Sequence, residues 1–249
     1  MIDLLRAELL KQRSTRTALG VLAAVVVASI APVVFFLALA PPDAFADGGG
    51  GTLFDIASSL VPYILIVFGI LGMTNEYRHG TITYTYLVTP RRGRVMLAKL
   101  AVYTGMGALT MAFSLFLVVI SGVVGLEVRG VDSGAMLDLA FADVARQVVV
   151  AGLMTAFGVA LGALFRAQVA TVAGVLIWAL AIETVIALVR PKVGTWLPFV
   201  VFSQVTEGRL GGAQSGIGLD RPEAFAVSVL YIGVISAAAV LISMSRDVT

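Results

Sequence analysis

Six long apolar runs constrain this chain more than any other feature of its sequence. They cover residues 18–40, 53–73, 100–126, 147–165, 169–189 and 224–244, and each is close to the ~20 residues that a helix needs to cross a bilayer. Backbone amides inside lipid must be bonded within their own segment, which requires helices here, since a barrel would show short alternating segments instead. With 59% hydrophobic and only 13% charged residues, the chain is too apolar for an ordinary soluble domain. We therefore predict an all-α membrane protein in which residues 1–249 form a single transmembrane domain with six spans.

Residues 1–16 predict an amphipathic helix at the membrane surface. Ile2, Leu5 and Leu9 recur at helical spacing, and charged side chains occupy the positions between them. A cleaved signal peptide is the alternative, but the following run of residues 18–40 exceeds the ~7 to 15 apolar residues typical of such a segment. An uncleaved interfacial helix is the favoured prediction.

The distribution of basic residues predicts the orientation. Eleven of the 17 lysines and arginines lie on the side of the N-terminus, and six lie on the other side. By the positive-inside rule both termini face the cytoplasm, and residues 190–223 are external. The apolar patch 196–202 in that external segment predicts that it dips back into the membrane. The N-terminal side carries Arg6, Lys11, Arg13, Arg16, Arg78, Arg91, Arg92, Arg94, Lys99, Arg166 and Arg246, and the other side carries Arg129, Arg146, Arg190, Lys192, Arg209 and Arg221.

Several kinds of chemistry are excluded by composition. The chain has no cysteine and a single histidine, His79, so it lacks the residues of the usual zinc motifs and a thiol nucleophile. It contains no GxxxxGK[ST] loop, in which backbone amides and a lysine hold nucleotide phosphates. The net charge of +2 gives no reason to expect a nucleic-acid surface. We expect no enzyme activity, no metal site and no cofactor in this chain itself.

The polar stretch 75–100 separates the second and third apolar runs. Within it, residues 81–89 alternate β-branched and aromatic side chains, a pattern that predicts a strand by propensity. The alternative is a short helix with Thr81 as its N-cap after Gly80, ending before Pro90, because the residue before a proline is pushed out of helical space. The sequence leaves both open.

This stretch also resembles the cytoplasmic loop of ABC-2 type transporter permeases. The resemblance extends to the basic N-terminal helix, the six spans and the residues around the fifth span. The matching residues are Glu76, Tyr77, Arg78, Gly80, Thr81, Leu87, Thr89, Pro90, Arg91, Arg92 and Lys99, followed by Trp178, Glu183, Trp196, Leu197 and Pro198.

The resemblance implies an export permease of the plasma membrane. It implies two permease subunits, identical or sister chains, each docking a separate ABC ATPase subunit that binds ATP and Mg²⁺. It also implies a coupling helix within residues 80–88 and re-entrant external helices between spans five and six. The alternative function is an ATPase-independent multi-pass membrane protein, such as a channel-like protein or an assembly factor.

The expected ATPase-coupling surface combines aromatic anchors with basic residues. An amphipathic element of this kind inserts into a groove on a partner, while arginines bind carboxylates or lipid phosphates. Arginines in this position are equally explained by the positive-inside rule alone. The predicted coupling residues are Glu76, Tyr77, Arg78, Gly80, Thr81, Tyr84, Tyr86, Leu87, Arg91 and Arg92.

Inside the predicted spans, one charge and one glycine pair are candidates for special roles. Glu183 is an intramembrane carboxylate that needs a partner, and we expect Arg190 or Arg146 to provide it, either as a structural ion pair or beside a substrate. Gly158 and Gly162 have the GxxxG spacing that allows close helix packing, within the subunit or between subunits. The substrate is not identified by these residues, although the apolar spans are compatible with a hydrophobic or drug-like compound.

Overall fold

The computed structural model describes residues 2–45, 49–208 and 217–245, and no strand occurs in these ranges. The chain forms helices joined by short connections, with one 3₁₀ turn at Pro42–Phe45 and one π-helical turn at Trp178–Ile182. In chain order the α-helices are α1 Ile2–Ser14, α2 Arg16–Leu39, α3 Gly49–Ser59, α4 Val61–Arg78, α5 Thr81–Val88, α6 Arg92–Val128, α7 Gly134–Phe165, α8 Gln168–Ile177, α9 Glu183–Val189, α10 Pro191–Gly194, α11 Pro198–Glu207 and α12 Arg221–Ser245. The predicted basic residues Arg209 and Arg246 lie outside the described ranges.

Six helical segments are long and apolar enough to cross a membrane, and each overlaps one of the predicted apolar runs. The prediction of an all-α membrane protein with six spans is therefore confirmed. The third segment begins eight residues earlier than its apolar run, so Lys99, which the sequence places at the opening of the span, lies two turns inside the helix. The segments, called spans one to six below, are Arg16–Leu39, Gly50–Arg78, Arg92–Val128, Gly134–Phe165, Gln168–Val189 and Arg221–Ser243.

Span four lies at the centre of the bundle. Its helix α7 packs against α4, α6 and α12, and 72% of its most apolar window is buried, compared with 17% in spans one and five. An apolar helix exposed on most of its surface is stable only against lipid or another subunit. Spans one and five therefore present surfaces that this chain does not cover.

Two glycines bring α7 and α4 into close contact. A Cβ atom on Gly158 would lie 2.2 Å from the carbonyl oxygen of Ile66, and one on Gly162 would lie 2.9 Å from that of Ile70. Both distances are shorter than ordinary van der Waals contact, so only glycine permits this approach. The GxxxG pair found in the sequence thus lies at a helix contact within the subunit.

The segment between spans two and three is a helix, α5. Gly80 adopts φ = +67°, the left-handed conformation that glycine tolerates, and thereby ends α4 and reverses the chain into α5. Gly80 precedes the first helical residue, so Thr81 is not the cap that the helical alternative expected. The helix stops at Val88, before Thr89 and Pro90, as that alternative predicted. Strand propensity does not prevail because a strand needs a neighbour for its backbone bonds, whereas a helix satisfies its own.

Candidate functional site at the helix between spans two and three

Helix α5 presents an apolar outer surface. The exposed fractions of Tyr84, Leu87 and Val88 are 73%, 72% and 86%, whereas Ile82 on the opposite side is 2% exposed. The eight-residue helix connects the ends of two spans and lies outside the apolar runs of both. Aromatic and aliphatic side chains exposed at a helix end, with arginines beside them, are typical of a protein contact surface.

The inner side of α5 is fixed by aromatic and cationic contacts. The guanidinium carbon of Arg92 lies 5.0 Å from the centre of the Tyr86 ring, and an Nη of the same arginine donates to Ser243 Oγ of α12 at 3.1 Å. Tyr77 lines the same small cavity as Tyr86, and the guanidinium carbon of Arg166 lies 5.1 Å from the Tyr77 ring centre. Cations over aromatic faces attract through the ring quadrupole. These contacts connect α5 directly to spans two and three. Through Tyr77 and Arg92 they continue to Arg166 at the end of span four and to Ser243 of span six.

Four charged side chains form a cluster directly behind α5. Lys99 Nζ lies 2.8 Å from Glu8 Oε2 and 2.6 Å from Glu76 Oε1, and Lys11 Nζ lies 2.9 Å from Glu8 Oε1 and 3.1 Å from Glu76 Oε1. The exposed fractions of the Lys99, Glu8 and Glu76 side chains are 0%, 2% and 11%. Two carboxylates and two ammonium groups balance in charge, which is the condition under which such groups are tolerated in a buried site. We call Glu8, Lys11, Glu76 and Lys99 the ion cluster.

The ion cluster joins α1 to the spans and to α5. Lys11 Nζ is 3.5 Å from Thr85 Oγ1 of α5, and the Gln12 side-chain amide donates to the Tyr103 hydroxyl of span three. Burial by itself would raise the pKa of Glu8, but Lys99 and Lys11 outweigh it and lower that pKa below its ordinary value. Glu8 is therefore ionised at neutral pH.

Sequence reasoning found only part of this arrangement. It named Glu76 and noted Lys99 as the start of a span, but it did not connect either residue to Glu8, Lys11 or the N-terminal helix. The available signal was a lysine between apolar residues at the start of a span, which is costly unless a carboxylate lies nearby. The partner of that lysine could not be identified because Glu8 is 91 residues away in sequence.

The other predicted coupling residues lie at the surface around α5. Arg78 donates an Nη hydrogen bond to Gln168 Oε1 at 3.1 Å, which connects the end of span two to the start of span five. Arg91 is exposed and precedes the first residue of α6, and Thr81 is exposed at the first position of α5. The structure thus groups Glu76, Tyr77 and Tyr86 on the inner side of this region, and Tyr84, Leu87 and Arg91 on its outer side.

Glu183 lies at a second polar site, and its partners differ from those predicted. We expected Arg190 or Arg146, but Glu183 Oε2 accepts hydrogen bonds from the backbone amides of Phe199 at 2.9 Å and Val200 at 3.2 Å. Its Oε1 accepts one from the indole nitrogen of Trp178 at 2.5 Å. The unpaired amides at the start of α11 supply these donors without the desolvation of a guanidinium, which favours them over an arginine.

The two arginines expected beside Glu183 lie elsewhere. Arg146 contacts Asp143 three residues earlier on α7, and Arg190 is the residue at which α9 ends and α10 begins. The π-helical turn Trp178–Ile182 immediately precedes Glu183 and joins α8 to α9. Such turns add a residue to a helix and often occur at functional positions. Glu183 holds the start of α11, in the segment between spans five and six, against span five.

An apolar groove follows the exposed side of span one. It has a volume of ≈ 870 Å³ and lies between α2 and α3, and a neighbouring groove of ≈ 580 Å³ extends to Tyr63 of span two and Leu176 of span five. Their shared lining residues are Ala24, Ala28 and Leu60. Grooves of this size and polarity accommodate hydrophobic molecules.

A comparison with protein families agrees with this architecture. The model of the ABC-2 family transporter protein family matches residues 4–189, which is well over half of the 249-residue chain. The matched region includes α1, spans one to five, α5 and the whole ion cluster. No curated protein matches the chain.

Proposed function

Because the chain belongs to the ABC-2 family of transporter proteins, we propose that it is the permease subunit of an exporter driven by a separate ABC ATPase. Members of this family are membrane components that do not hydrolyse ATP themselves and generally work with an ATPase subunit. In the proposed assembly, ATP and Mg²⁺ bind to that partner. The permease receives mechanical work through a contact and moves its substrate across the plasma membrane.

The observation that carries this proposal is the exposed apolar surface of α5. Tyr84, Leu87 and Val88 are exposed in a helix whose opposite side packs against the ends of spans two and three. A surface that only connected two spans in water would gain nothing from these apolar side chains, whereas a docking surface would bury them. The anchored inner side supports the second half of the proposal, since a force applied at α5 reaches the spans only if α5 cannot turn independently.

The charge distribution supports an orientation with α5 in the cytoplasm. Arg91 and Arg94 flank the region, and the N-terminal side of the bundle carries eleven of the 17 basic residues. Both termini then face the cytoplasm, where an ATPase reaches α5 and anionic lipid headgroups reach the arginines. Residues 190–223, with α10 and α11, then lie on the external side.

The uncovered spans support an export path that involves a second permease subunit. Spans one and five are the least enclosed together with span six, and the apolar grooves run along spans one, two and five. A second subunit packed on this side, identical or a sister chain, would close the grooves into a path. The polar lining of the grooves is minimal, which supports a hydrophobic substrate.

Co-purification with an ABC ATPase tests the proposal, and we expect the gene of that ATPase to lie beside the gene of this chain. We expect wild type to bind the ATPase, and Leu87→Ser to lose most of that binding while still inserting into the membrane. Val128→Ser is the matched control, because Val128 is an aliphatic residue of similar exposure, 82%, at the opposite end of span three. Failure of wild type to bind the ATPase would refute the proposal and favour the ATPase-independent alternative, and equal binding by Leu87→Ser would remove α5 from the contact.

A further inference from the structure

The ion cluster is the only described contact in which α1, span two, α5 and span three meet at a single group of side chains. We propose that Glu8 and Lys99 are positioning residues that make α1 and α5 move together with span three. This inference rests on the proposed function, because it assigns a route by which work received at α5 reaches the spans. It adds α1 as a second moving part, held by charge.

The side of α1 that faces the protein has polar residues at its centre. Among the described side chains of this helix, Glu8 and Gln12 are buried and Leu4 and Leu5 are half-buried, whereas Ile2, Leu9 and Leu10 are 66%, 43% and 64% exposed. An apolar face directed away from the protein suits the membrane surface. The position of α1 against the bundle is thus set by directional polar contacts together with the half-buried Leu4 and Leu5.

Lys99 is built into the bundle and not at its edge. Its side chain is fully buried on α6, next to Tyr103 one turn later, which accepts the hydrogen bond from Gln12. One ammonium group therefore holds a carboxylate from α1 and a carboxylate from the end of span two at hydrogen-bonding distance. Charged hydrogen bonds have strict distance and angle requirements, so the three helices cannot slide past one another while these bonds persist.

The same cluster reaches α5 by two connections. Glu76 precedes Gly80, the residue at which the chain turns into α5, by one helical turn. Lys11 approaches Thr85 in the middle of α5. A displacement of α5 must therefore carry the cluster with it or break bonds to a buried charge, which is strongly unfavourable. One of the two Glu76 carboxylate oxygens, Oε2, is buried and has no hydrogen-bond partner among the described residues, so the cluster has one further acceptor with which to form a different set of bonds.

The experiment measures the position of α1 and the coupling separately. The chain has no cysteine, so spin labels attached to cysteines introduced at the exposed Leu10 and Leu97 report the distance between α1 and span three in nanodiscs. The variants are Glu8→Gln, which keeps the shape and removes the charge, and Lys99→Met, which removes the cation. Asp3→Asn is the matched control, because Asp3 is an exposed carboxylate on the same helix.

We expect a single narrow distance distribution for wild type and Asp3→Asn, and a broad one for Glu8→Gln. ATPase binding should stay at the wild-type level in Glu8→Gln, while the stimulation of ATP hydrolysis by the permease falls about tenfold or more. The combined Glu8→Gln and Lys99→Met variant should be no worse than Lys99→Met alone, because both changes break one unit. If Lys99→Met fails to fold, the distance distribution and the ATP hydrolysis of Glu8→Gln are sufficient to test the inference.

Three results would overturn the inference. They are an unchanged distance distribution in Glu8→Gln, a released α1 with undiminished stimulation of ATP hydrolysis, and loss of ATPase binding, which would place Glu8 at the docking surface instead. Failure of the proposed function is a distinct result, since it appears as absence of ATPase binding in wild type. The distance measurement requires no ATPase and tests the attachment of α1 in either case.

Discussion

Replacing Glu183 by glutamine should release the start of α11 from span five. The amides of Phe199 and Val200 are in the first turn of α11, where no preceding helical carbonyl is available to accept their hydrogen bonds. Glu183 supplies that acceptor with one oxygen and holds the Trp178 indole with the other. A glutamine has one oxygen and one NH₂ group. Either the indole N–H or the pair of backbone amides then faces the NH₂ group, which cannot accept their hydrogen bonds.

The free energy that Glu183→Gln costs follows from the number of hydrogen bonds it disrupts and from the burial of Glu183. Glu183 is 1% exposed, so solvent does not screen its contacts. A hydrogen bond to a charged group contributes about 1 kcal/mol more than a neutral one, and a buried donor left without an acceptor costs roughly 1–3 kcal/mol. If the contact between α11 and span five loses about 3 kcal/mol of stability, the start of α11 opens roughly 100-fold more often.

Hydrogen exchange measured by mass spectrometry on the peptide that contains Phe199 and Val200 is the appropriate assay, in nanodiscs. The predicted result is roughly 100-fold faster exchange in Glu183→Gln. Glu207→Gln is the control, because Glu207 is an exposed carboxylate at the other end of α11, and its exchange should match wild type. Equal exchange in Glu183→Gln and wild type would refute the reasoning, since α11 would then be held by its apolar contacts alone.

Three further predictions concern packing, pH and the anchorage of α5. Gly158→Ala places a methyl group 2.2 Å from the Ile66 carbonyl oxygen and should destabilise the fold by about 1–3 kcal/mol. The measurement is the melting temperature, which should fall. Gly105→Ala is the control, because Gly105 has open space around it, and its melting temperature should match wild type. Because the pKa of Glu8 is lowered by Lys99 and Lys11, its contribution to the attachment of α1 should persist from neutral pH down to its ordinary value of 4.5 and be lost only below it; spin-label distances that broaden well above pH 4.5 would contradict this. Tyr86→Ala should increase hydrogen exchange in α5. Tyr86→Phe, which keeps the ring beneath the arginine and loses only the hydroxyl bonded to Tyr77, should increase it much less.

The region around α5 illustrates how far sequence reasoning reached. It located the segment and its polar flanks, and the helical alternative predicted the end before Pro90 correctly. The coupling residues named there stay a prediction. It could not choose between strand and helix, because local propensity favours a strand, and the deciding fact is that the described residues contain no strand with which it could pair. Tyr84 and Tyr86 also look equivalent in sequence, yet one is exposed and the other is packed beside Arg92.

The charged residues within the spans were located from sequence but not paired. Glu183 was identified as a buried carboxylate from its position in an apolar run, and its burial is observed. Its expected arginine partners were wrong, because sequence reasoning considered side-chain charges and did not include backbone amides freed at a helix start 16 residues away. Lys99 is expected at the start of the third span, but the helix begins seven residues earlier, at Arg92, so Lys99 lies inside it.

The sequence by itself determined the six spans, the all-α class and the absence of a nucleotide-binding loop. A span is determined by the summed free energy of placing about 20 neighbouring residues in lipid, and that cost does not depend on distant parts of the chain. The tertiary structure decided which polar groups meet: Glu8 with Lys99, Glu183 with α11, and Tyr77 with Arg166. A buried polar group must find a partner, but which partner is near is set by the packing of α7 with its neighbours and not by any local pattern.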